Sequence, residues 1–247
     1  MLVLAVFAGC SRADVNPKLD DGAVPIDAQG DDAAADAPLD GMAAAYSHTI
    51  TIDGNDDFVA ADTFTTTSAS YTAKVSWDSE HVYLGYAGPD LDPAAPQAAT
   101  KWLFAYVDVD PGAATGAITS QLYRTQRAAF PSGFGAEYYA RWKCDASLVS
   151  LEQHQAGDTW VSAATPASAR TGTFVELAIP RAVLGPATTI GVVTWMINEQ
   201  DGVEASYAGL YTGNFTDGYT ASLPITKYLR IDFASPRAPN DPANQVP

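Results

Sequence analysis

Hydrophobic and polar residues alternate with a period of two along most of the chain after Tyr46. This period is typical of β-strands, in which successive side chains point to opposite faces of a sheet. The alternating runs are short and are separated by Gly, Pro, Asp and Ser, which favour turns. The predicted strands are SHTITID (47–53), YTAKVSW (71–77), HVYLGYAG (81–88), WLFAYVDVD (102–110), ITSQLYR (118–124), AEYYARWKC (136–144), SLVSLEQH (147–154), TWVSAA (159–164), TFVELAIP (173–180), IGVVTWMIN (190–198), ASYAGLY (205–211) and KYLRIDF (227–233).

The strand pattern predicts the fold class directly. WLFAYVDVD is too apolar on both faces for an edge strand, so we expect it inside a sheet. The only helical pattern is one turn around Arg181–Leu184, which follows a proline. Many short strands joined by turns favour an all-β domain, and we predict an antiparallel two-sheet β-sandwich of jelly-roll or immunoglobulin-like type over residues 46–235.

The N-terminus carries a different signal. The apolar run Leu2–Gly9 is shorter than the roughly 20 residues needed to cross a bilayer, but it suits the apolar part of a secretory signal. Its end, VFAGC, resembles a bacterial lipobox, although no basic residue precedes the run. The resemblance implies a lipoprotein signal peptide at 1–9 and lipidation of Cys10. We therefore expect a bacterial cell-envelope protein, lipid-anchored to the outer membrane or cell surface; the alternative is an incidental cysteine.

The regions flanking the predicted domain are poor in large apolar residues. Residues 10–45 are rich in Asp, Ala and Pro and lack aromatic side chains, which predicts a flexible linker. The Pro-rich stretch 236–247 predicts a disordered tail. The net charge of −16 argues against nucleic acid and against peripheral binding to anionic lipid, so membrane attachment depends on Cys10. We expect a monomer.

Four segments, taken in order, resemble the family 9 carbohydrate-binding modules and the related DOMON domains. They are TIDGNDDFVAAD (51–62), AKVSWDSEHVYLGYAGPDLD (73–92), WLFAYVDVDPGAATG (102–116) and FVELAIPRAVLG (174–185). The resemblance implies a β-sandwich that binds polysaccharide or oligosaccharide without catalysis and that often carries structural calcium. Phe58 stands where the family often has Trp, and residues 117–170 have no counterpart in the family pattern.

Sugar rings bind to flat aromatic faces, with carboxylates and amides nearby to hold the hydroxyl groups. We expect Trp77 in the core and Trp142 as the best exposed candidate, although core packing is the alternative for each single tryptophan. The candidate ligand-binding residues are Trp142, Trp195, Trp102, Trp160, Asn198 and Glu199.

The run DVDPG offers a candidate metal site. Asp108 and Asp110 are two residues apart, so they lie on one face of the predicted strand just before a Pro-Gly turn. Paired carboxylates at such a position suit Ca²⁺, which prefers oxygen ligands. The alternative is that both residues only form the turn.

No catalytic motif with its expected spacing occurs in the sequence, and His48, His81 and His154 are scattered. The main hypothesis is non-catalytic carbohydrate (glycan) binding by a membrane-tethered surface lipoprotein. The alternative is a structural or adhesion domain of the cell envelope without a sugar site, and the third hypothesis is a glycoside hydrolase-associated enzyme. The first hypothesis requires at least one tryptophan face open to solvent beside carboxylates or amides.

Overall fold

The computed structural model describes residues 43–113 and 115–247. The predicted signal peptide, Cys10 and nearly all of the predicted linker lie outside them. Within the described part, the helices are 3₁₀ turns, and none is long and apolar enough to span a membrane. They are Ala60–Asp62, Pro89–Leu91, Ala98–Thr100 and Pro242–Asn244.

The described chain is all-β, as the alternation predicts. The strands are β1 (Thr63–Thr65), β2 (Thr72–Trp77), β3 (His81–Ala87), β4 (Lys101–Asp108), β5 (Arg127–Ala129), β6 (Tyr138–Lys143), β7 (Val149–Gln155), β8 (Thr159–Ala164), β9 (Ala167–Thr171), β10 (Phe174–Pro180), β11 (Thr189–Asn198), β12 (Ala205–Tyr207), β13 (Ser222–Pro224), β14 (Tyr228–Asp232) and β15 (Gln245–Val246).

Two antiparallel sheets form a sandwich, which confirms the predicted fold class. The five-stranded sheet has the order β1-β2-β3-β10-β9. The eight-stranded sheet has the order β15-β14-β11-β4-β6-β7-β8, and β12 pairs with β11. Strand β4 lies between β11 and β6, as its two apolar faces predict. Strands β13 and β5 form a small parallel pair.

The main core lies between the two sheets and is filled by every second residue of the central strands. Trp77, expected there from the sequence, is 2% exposed. Burying a large apolar side chain contributes roughly 1.5–3 kcal/mol, so this layer dominates the stability of the fold. Other members are Val75, Leu84, Tyr86, Leu103, Val107, Ala140, Trp142, Leu177, Ile179, Val192 and Met196.

The outer face of the eight-stranded sheet is also covered. Phe104, Tyr106 and Trp195 point away from the main core into a second apolar cluster. The long connection between β4 and β5 places Tyr123 on Phe104, with ring centroids 4.2 Å apart and nearly parallel planes. The connection after β12 contributes Phe215 to the same cluster. Consequently, only the ends and edges of this sheet are open to ligands.

The segment before β1 covers the outer face of the five-stranded sheet. Ile50 and Phe58 belong to a third apolar cluster there. Glu176, on the outer face of β10, accepts hydrogen bonds through Oε1 from the backbone N–H groups of Asp53 at 2.6 Å and Gly54 at 2.5 Å. These bonds attach the segment to the sheet, and they replace the strand expected at 47–53.

Two further expectations differ from the structure. Residues 118–124 form isolated bridges and a turn instead of a strand, because they lie across the outer face of the sheet and do not extend its ladder. The tail 236–247, expected to be disordered, contains a 3₁₀ turn and β15, which pairs with β14. Asn240 attaches the tail to the rest of the fold by donating to the carbonyl of Ala60 at 2.8 Å.

Candidate functional site

The five tryptophans of the chain occupy three different environments. Trp77 and Trp142 are each 2% exposed in the main core, and Trp195 is 1% exposed under the outer-face loops. Trp102 and Trp160 are only partly buried. A sugar-binding surface can therefore use Trp102 and Trp160, but not the other three.

Trp142 lies in the core, contrary to the expectation that it is the best exposed candidate. It stands on β6 between Arg141 and Lys143, whose side chains contact the outer-face residue Trp102. Since neighbours on a strand point to opposite faces, Trp142 points inward. The guanidinium group of Arg170 lies 5.6 Å from its ring centroid and closes that end of the core.

Trp195 is on the outer face but is enclosed. Its ring stacks on Tyr106 at 5.4 Å and meets the edge of Phe104 at 5.7 Å. The loops that cover all three rings come from distant parts of the chain. The alternation of residues along β11 therefore could not predict that Trp195 is enclosed. This predicted ligand-binding residue is therefore part of the packing.

Asn198 has a positioning role in the structure. It is 8% exposed, and its Oδ1 accepts hydrogen bonds from Thr100 Oγ1 at 2.8 Å and from the backbone N–H of Gln200 at 3.2 Å. Its Nδ2 donates to the carbonyl of Val203 at 3.3 Å. The amide thus holds the loop that follows β11, with little of it left open to a ligand.

Trp102 and Glu199 come together at the end of the sheet where β4 begins and β6 and β11 end. The cationic groups of Arg141 and Lys143 lie 5.6 and 5.4 Å from the Trp102 ring centroid. Burial raises the pKa of Glu199, while the Trp102 indole and the charges of Arg124 and Arg141 oppose the rise. Glu199 is therefore a partly buried carboxylate near the Trp102 indole, and the charges of two guanidinium groups act on it.

A cleft of about 290 Å³ opens beside this cluster, lined by Thr125, Gly202, Glu204 and Tyr219. Tyr219 is 55% exposed, and its hydroxyl is 3.0 Å from Thr125 Oγ1. Glu204 Oε2 accepts a hydrogen bond from the same Thr125 hydroxyl at 2.9 Å. The cleft thus places an open aromatic ring beside a carboxylate and a hydroxyl group.

We call the combined surface the loop-end site. A hydrogen bond links its two halves, since Arg124, next to Thr125, donates through Nη1 to Oδ1 of Asp201 at 2.7 Å, in the loop that joins Glu199 to Glu204. The sequence analysis predicts Trp102 and Glu199 as ligand-binding residues but not Tyr219. The only local feature that could have indicated Tyr219 is its position beside Asp217 and Gly218 in the run DGYT. The members of the loop-end site are Trp102, Arg124, Thr125, Arg141, Glu199, Glu204 and Tyr219.

Trp160 belongs to a different cleft. It is on the edge strand β8, and its ring meets the edge of Tyr139 at 4.9 Å. The cleft it lines has no residue in common with the cleft of Tyr219. The structure therefore separates Trp160 from the Trp102–Glu199 pair.

The candidate metal ligands lie at the opposite end of β4. Asp108, Asp110 and Glu137 each offer a carboxylate oxygen, and these oxygens all lie within 4.8 Å of one another. Burial raises the pKa of Asp108 to about 6, and the neighbouring carboxylates add to the rise. Thr115 Oγ1 donates to Asp110 Oδ1 at 2.7 Å and to Glu137 Oε1 at 3.0 Å. Glu137 joins the pair because β6 lies beside β4, a contact that the local sequence does not reveal.

No family model matches the sequence, and no curated protein matches it. Among solved structures, the chain is similar to a family 9 carbohydrate-binding module from Caldicellulosiruptor kristjanssonii in complex with cellotriose. The TM-score is 0.37 at 13% identity, over 73% of this chain and 91% of the module. The complex of such a module with glucose gives the same TM-score and identity, over 74% and 94% of the two chains. At that TM-score and identity, any ligand preference of this chain has to follow from its own side chains.

Proposed function

We propose that this protein binds carbohydrate without catalysis, through the loop-end site. One observation carries the proposal: Tyr219 is 55% exposed and lines a cleft that also presents Glu204 and Thr125. Sugar binding requires this combination, because the C–H face of a pyranose packs on an aromatic ring while its hydroxyl groups need polar partners.

The charges of the site suit a neutral polyhydroxyl ligand. Glu199 and Glu204 accept hydrogen bonds, whereas Arg124 and Arg141 only donate them. Arg124 Nη1 is bound to Asp201 Oδ1 and Arg141 Nη2 to Glu152 Oε1, both at 2.7 Å, so the cations are paired and the site carries no large net charge. The cleft of about 290 Å³ is just below the roughly 300–1,000 Å³ usual for small-molecule sites, so it suits a short stretch of glycan.

The contacts of Glu204 favour binding over hydrolysis. Its Oε1 accepts from the backbone N–H groups of Thr125 and Gln126, both at 3.2 Å, and its Oε2 accepts from the Thr125 hydroxyl. A carboxylate held in this way is a fixed acceptor, whereas a glycosidase needs one acid to carry a proton and a second carboxylate free to act as base or nucleophile. Oε2 keeps room for one more donor, such as a sugar hydroxyl.

Calorimetric titration with a panel of soluble oligosaccharides that includes glucose and cellotriose tests the proposal. We expect saturable binding, with Tyr219→Ala weakening it on the order of tenfold or more and Tyr219→Phe retaining most of it. Product analysis by chromatography checks that the bound sugar is not cleaved. No heat across a broad panel from a folded protein would instead support the structural or adhesion hypothesis.

We also propose that Cys10 is lipidated and tethers the domain to the bacterial envelope. The support is the lipobox-like VFAGC and the acidic, Pro-containing stretch that follows it. Stable anchoring needs two or more lipid signals, and a lipidated N-terminal cysteine carries several acyl chains. In a bacterial host, the full chain should fractionate with membranes and Cys10→Ser should not. Equal partitioning of both would contradict the tether.

A calcium ion is the third part of the proposal, held by Asp108, Asp110 and Glu137. Three carboxylate oxygens within 4.8 Å are a fitting donor set for Ca²⁺, where the ion would link the ends of β4 and β6. Calcium at a hundredfold excess over Kd should stabilise the fold by about 2.7 kcal/mol. Glu137→Gln should lose this effect in thermal unfolding, and Glu80→Gln, an exposed acid in the β2–β3 turn, should keep it. An unchanged melting temperature with calcium would reject the site.

A further inference from the structure

A second cleft, of about 330 Å³, lies along the edge of the eight-stranded sheet. Its aromatic wall is Trp160, which is partly open and rests against the rings of Tyr139 at 4.9 Å and Tyr106 at 5.7 Å. The indole Nε1 of Trp160 is buried and has no hydrogen-bond partner among the described residues. Neighbouring rings thus fix the position of Trp160, and its single polar side-chain atom, Nε1, is unpaired in the described part of the chain.

Polar groups of both charges surround that ring. Asp158 is in the turn before β8, and its carboxylate oxygens lie 3.8 Å from Arg127 Nη1 and 3.6 Å from His154 Nε2. Neither contact is a short hydrogen bond, so the donors and acceptors of these groups remain open to a third partner. Gln121, whose Oε1 accepts from the Tyr139 hydroxyl at 3.2 Å, lines the opposite side.

The two clefts adjoin one tight turn. The backbones of Tyr123 and Gln126 exchange two hydrogen bonds of 2.9 Å each. Leu122, just before this turn, lines the Trp160 cleft, while Thr125 inside it lines the Tyr219 cleft. Arg127, two residues after Thr125, also lines the Trp160 cleft, so Cα atoms of residues from the two clefts lie within about 7 Å of each other and one extended ligand can reach both.

We infer that the Trp160 cleft is a second glycan subsite, so that the protein binds a chain of several sugar units across the Tyr123–Gln126 turn. The inference rests on the proposed function of the loop-end site and adds a preference for polymers over single sugars. Each cleft supplies one aromatic platform with a carboxylate and further polar groups beside it. Joining two weak subsites through one ligand raises the affinity without any new contact.

The test is a length series of cello-oligosaccharides from glucose to cellohexaose, with malto- and manno-oligosaccharides as parallel series, titrated by calorimetry. In the wild-type protein we expect affinity to rise with length by about tenfold or more. Trp160→Ala and Asp158→Asn should both remove this rise and leave the shortest bound sugar within about twofold. Asp158→Asn is the safer variant for folding, because that side chain is 55% exposed.

Val161→Ala is the matched control. Val161 neighbours Trp160 on β8 and is 46% exposed, but it does not line the cleft, so the length dependence should persist. If folded Trp160→Ala and Asp158→Asn keep the wild-type length dependence while Tyr219→Ala abolishes binding, only the second subsite is refuted. If Trp160→Ala abolishes binding of every length and Tyr219→Ala has no effect, the loop-end site is refuted as well. A wild-type protein that binds none of the series and none of the broader panel overturns both proposals.

Discussion

Asn214 holds together the loop that carries Tyr219, and its replacement should destabilise the fold strongly. The side chain is 2% exposed in the connection between β12 and β14. Its Nδ2 donates to the carbonyls of Leu210 at 2.8 Å and Lys227 at 3.0 Å. Its Oδ1 accepts from the backbone N–H groups of Thr226 and Lys227, both at 2.9 Å. One amide thus satisfies four backbone groups at the two ends of the loop.

The magnitude follows from those four bonds. A hydrogen bond within a protein contributes about 0.5–1.5 kcal/mol net, and an unpaired buried group costs more. Asn214→Ala should therefore lower the free energy of unfolding by about 3–4 kcal/mol, a large share of the roughly 5–15 kcal/mol typical of a folded domain. Asn214→Asp keeps the shape and both accepted bonds but turns an oxygen toward the carbonyls of Leu210 and Lys227, so we expect a loss of similar size.

Urea unfolding followed by tryptophan fluorescence measures both variants, with an unchanged m-value required for the comparison. Asn240→Ala is the control, since that exposed amide donates to the carbonyls of Ala60 and Thr63 where water can replace it. Its cost should stay below about 1 kcal/mol. If Asn214→Asp unfolds at the wild-type urea concentration, the loop is held by apolar contacts such as those of Phe215, and the reasoning from the amide fails.

Three further predictions concern buried groups elsewhere. Burial raises the pKa of Glu176, so the folded state binds a proton more tightly than the unfolded chain. The contribution of Glu176 to the free energy of unfolding therefore falls as pH rises from the usual pKa of 4.5 through the folded-state pKa. Glu176→Gln should flatten this pH dependence when urea unfolding is measured over a pH series, and an unchanged slope would contradict the prediction. Burial raises the pKa of Cys144 to about 12, so iodoacetamide at pH 8 should label this thiol only in denaturant. Peptide mass mapping identifies the labelled residue. Labelling of Cys144 in the native protein would mean that the thiol is accessible. A Cβ on Gly135 would lie 1.8 Å from the carbonyl oxygen of Thr115, so Gly135→Ala should cost at least about 1–3 kcal/mol in thermal unfolding, and a wild-type melting temperature would contradict this reasoning.

The inner layer of the sandwich was predictable because it depends on alternation alone. Trp77, Leu84 and Leu177 all occupy the core side of strands found from a period of two. The same reasoning places Glu176 on the outer face of β10, where it accepts the N–H groups of the preceding segment. These features require only the direction in which successive side chains point.

The candidate site was less predictable because it depends on contacts between distant segments. Nothing local distinguishes Trp142 from Trp102, yet one lies in the core and the other at the sheet end, because their strands present them to opposite faces. Glu204, Thr125 and Tyr219 come from three separate loops. Each is unremarkable in the sequence, and only the folded chain brings them to one cleft.

Coverage of both sheets explains where a ligand can bind. The second apolar cluster is packed between the outer face of the eight-stranded sheet and the loops over it. Sugars therefore cannot reach that face. Openings remain at the ends of the sheet and along its edge strand β8. The partly open residues Trp102 and Trp160 stand at the end where β4 begins and on β8, and the connection between β4 and β5 contributes Thr125 to one cleft and Gln121 and Leu122 to the other. The connection that closes the face therefore also builds the openings beside it, and changes to its exposed residues Leu122, Arg124 and Thr125 should alter binding more than the free energy of unfolding.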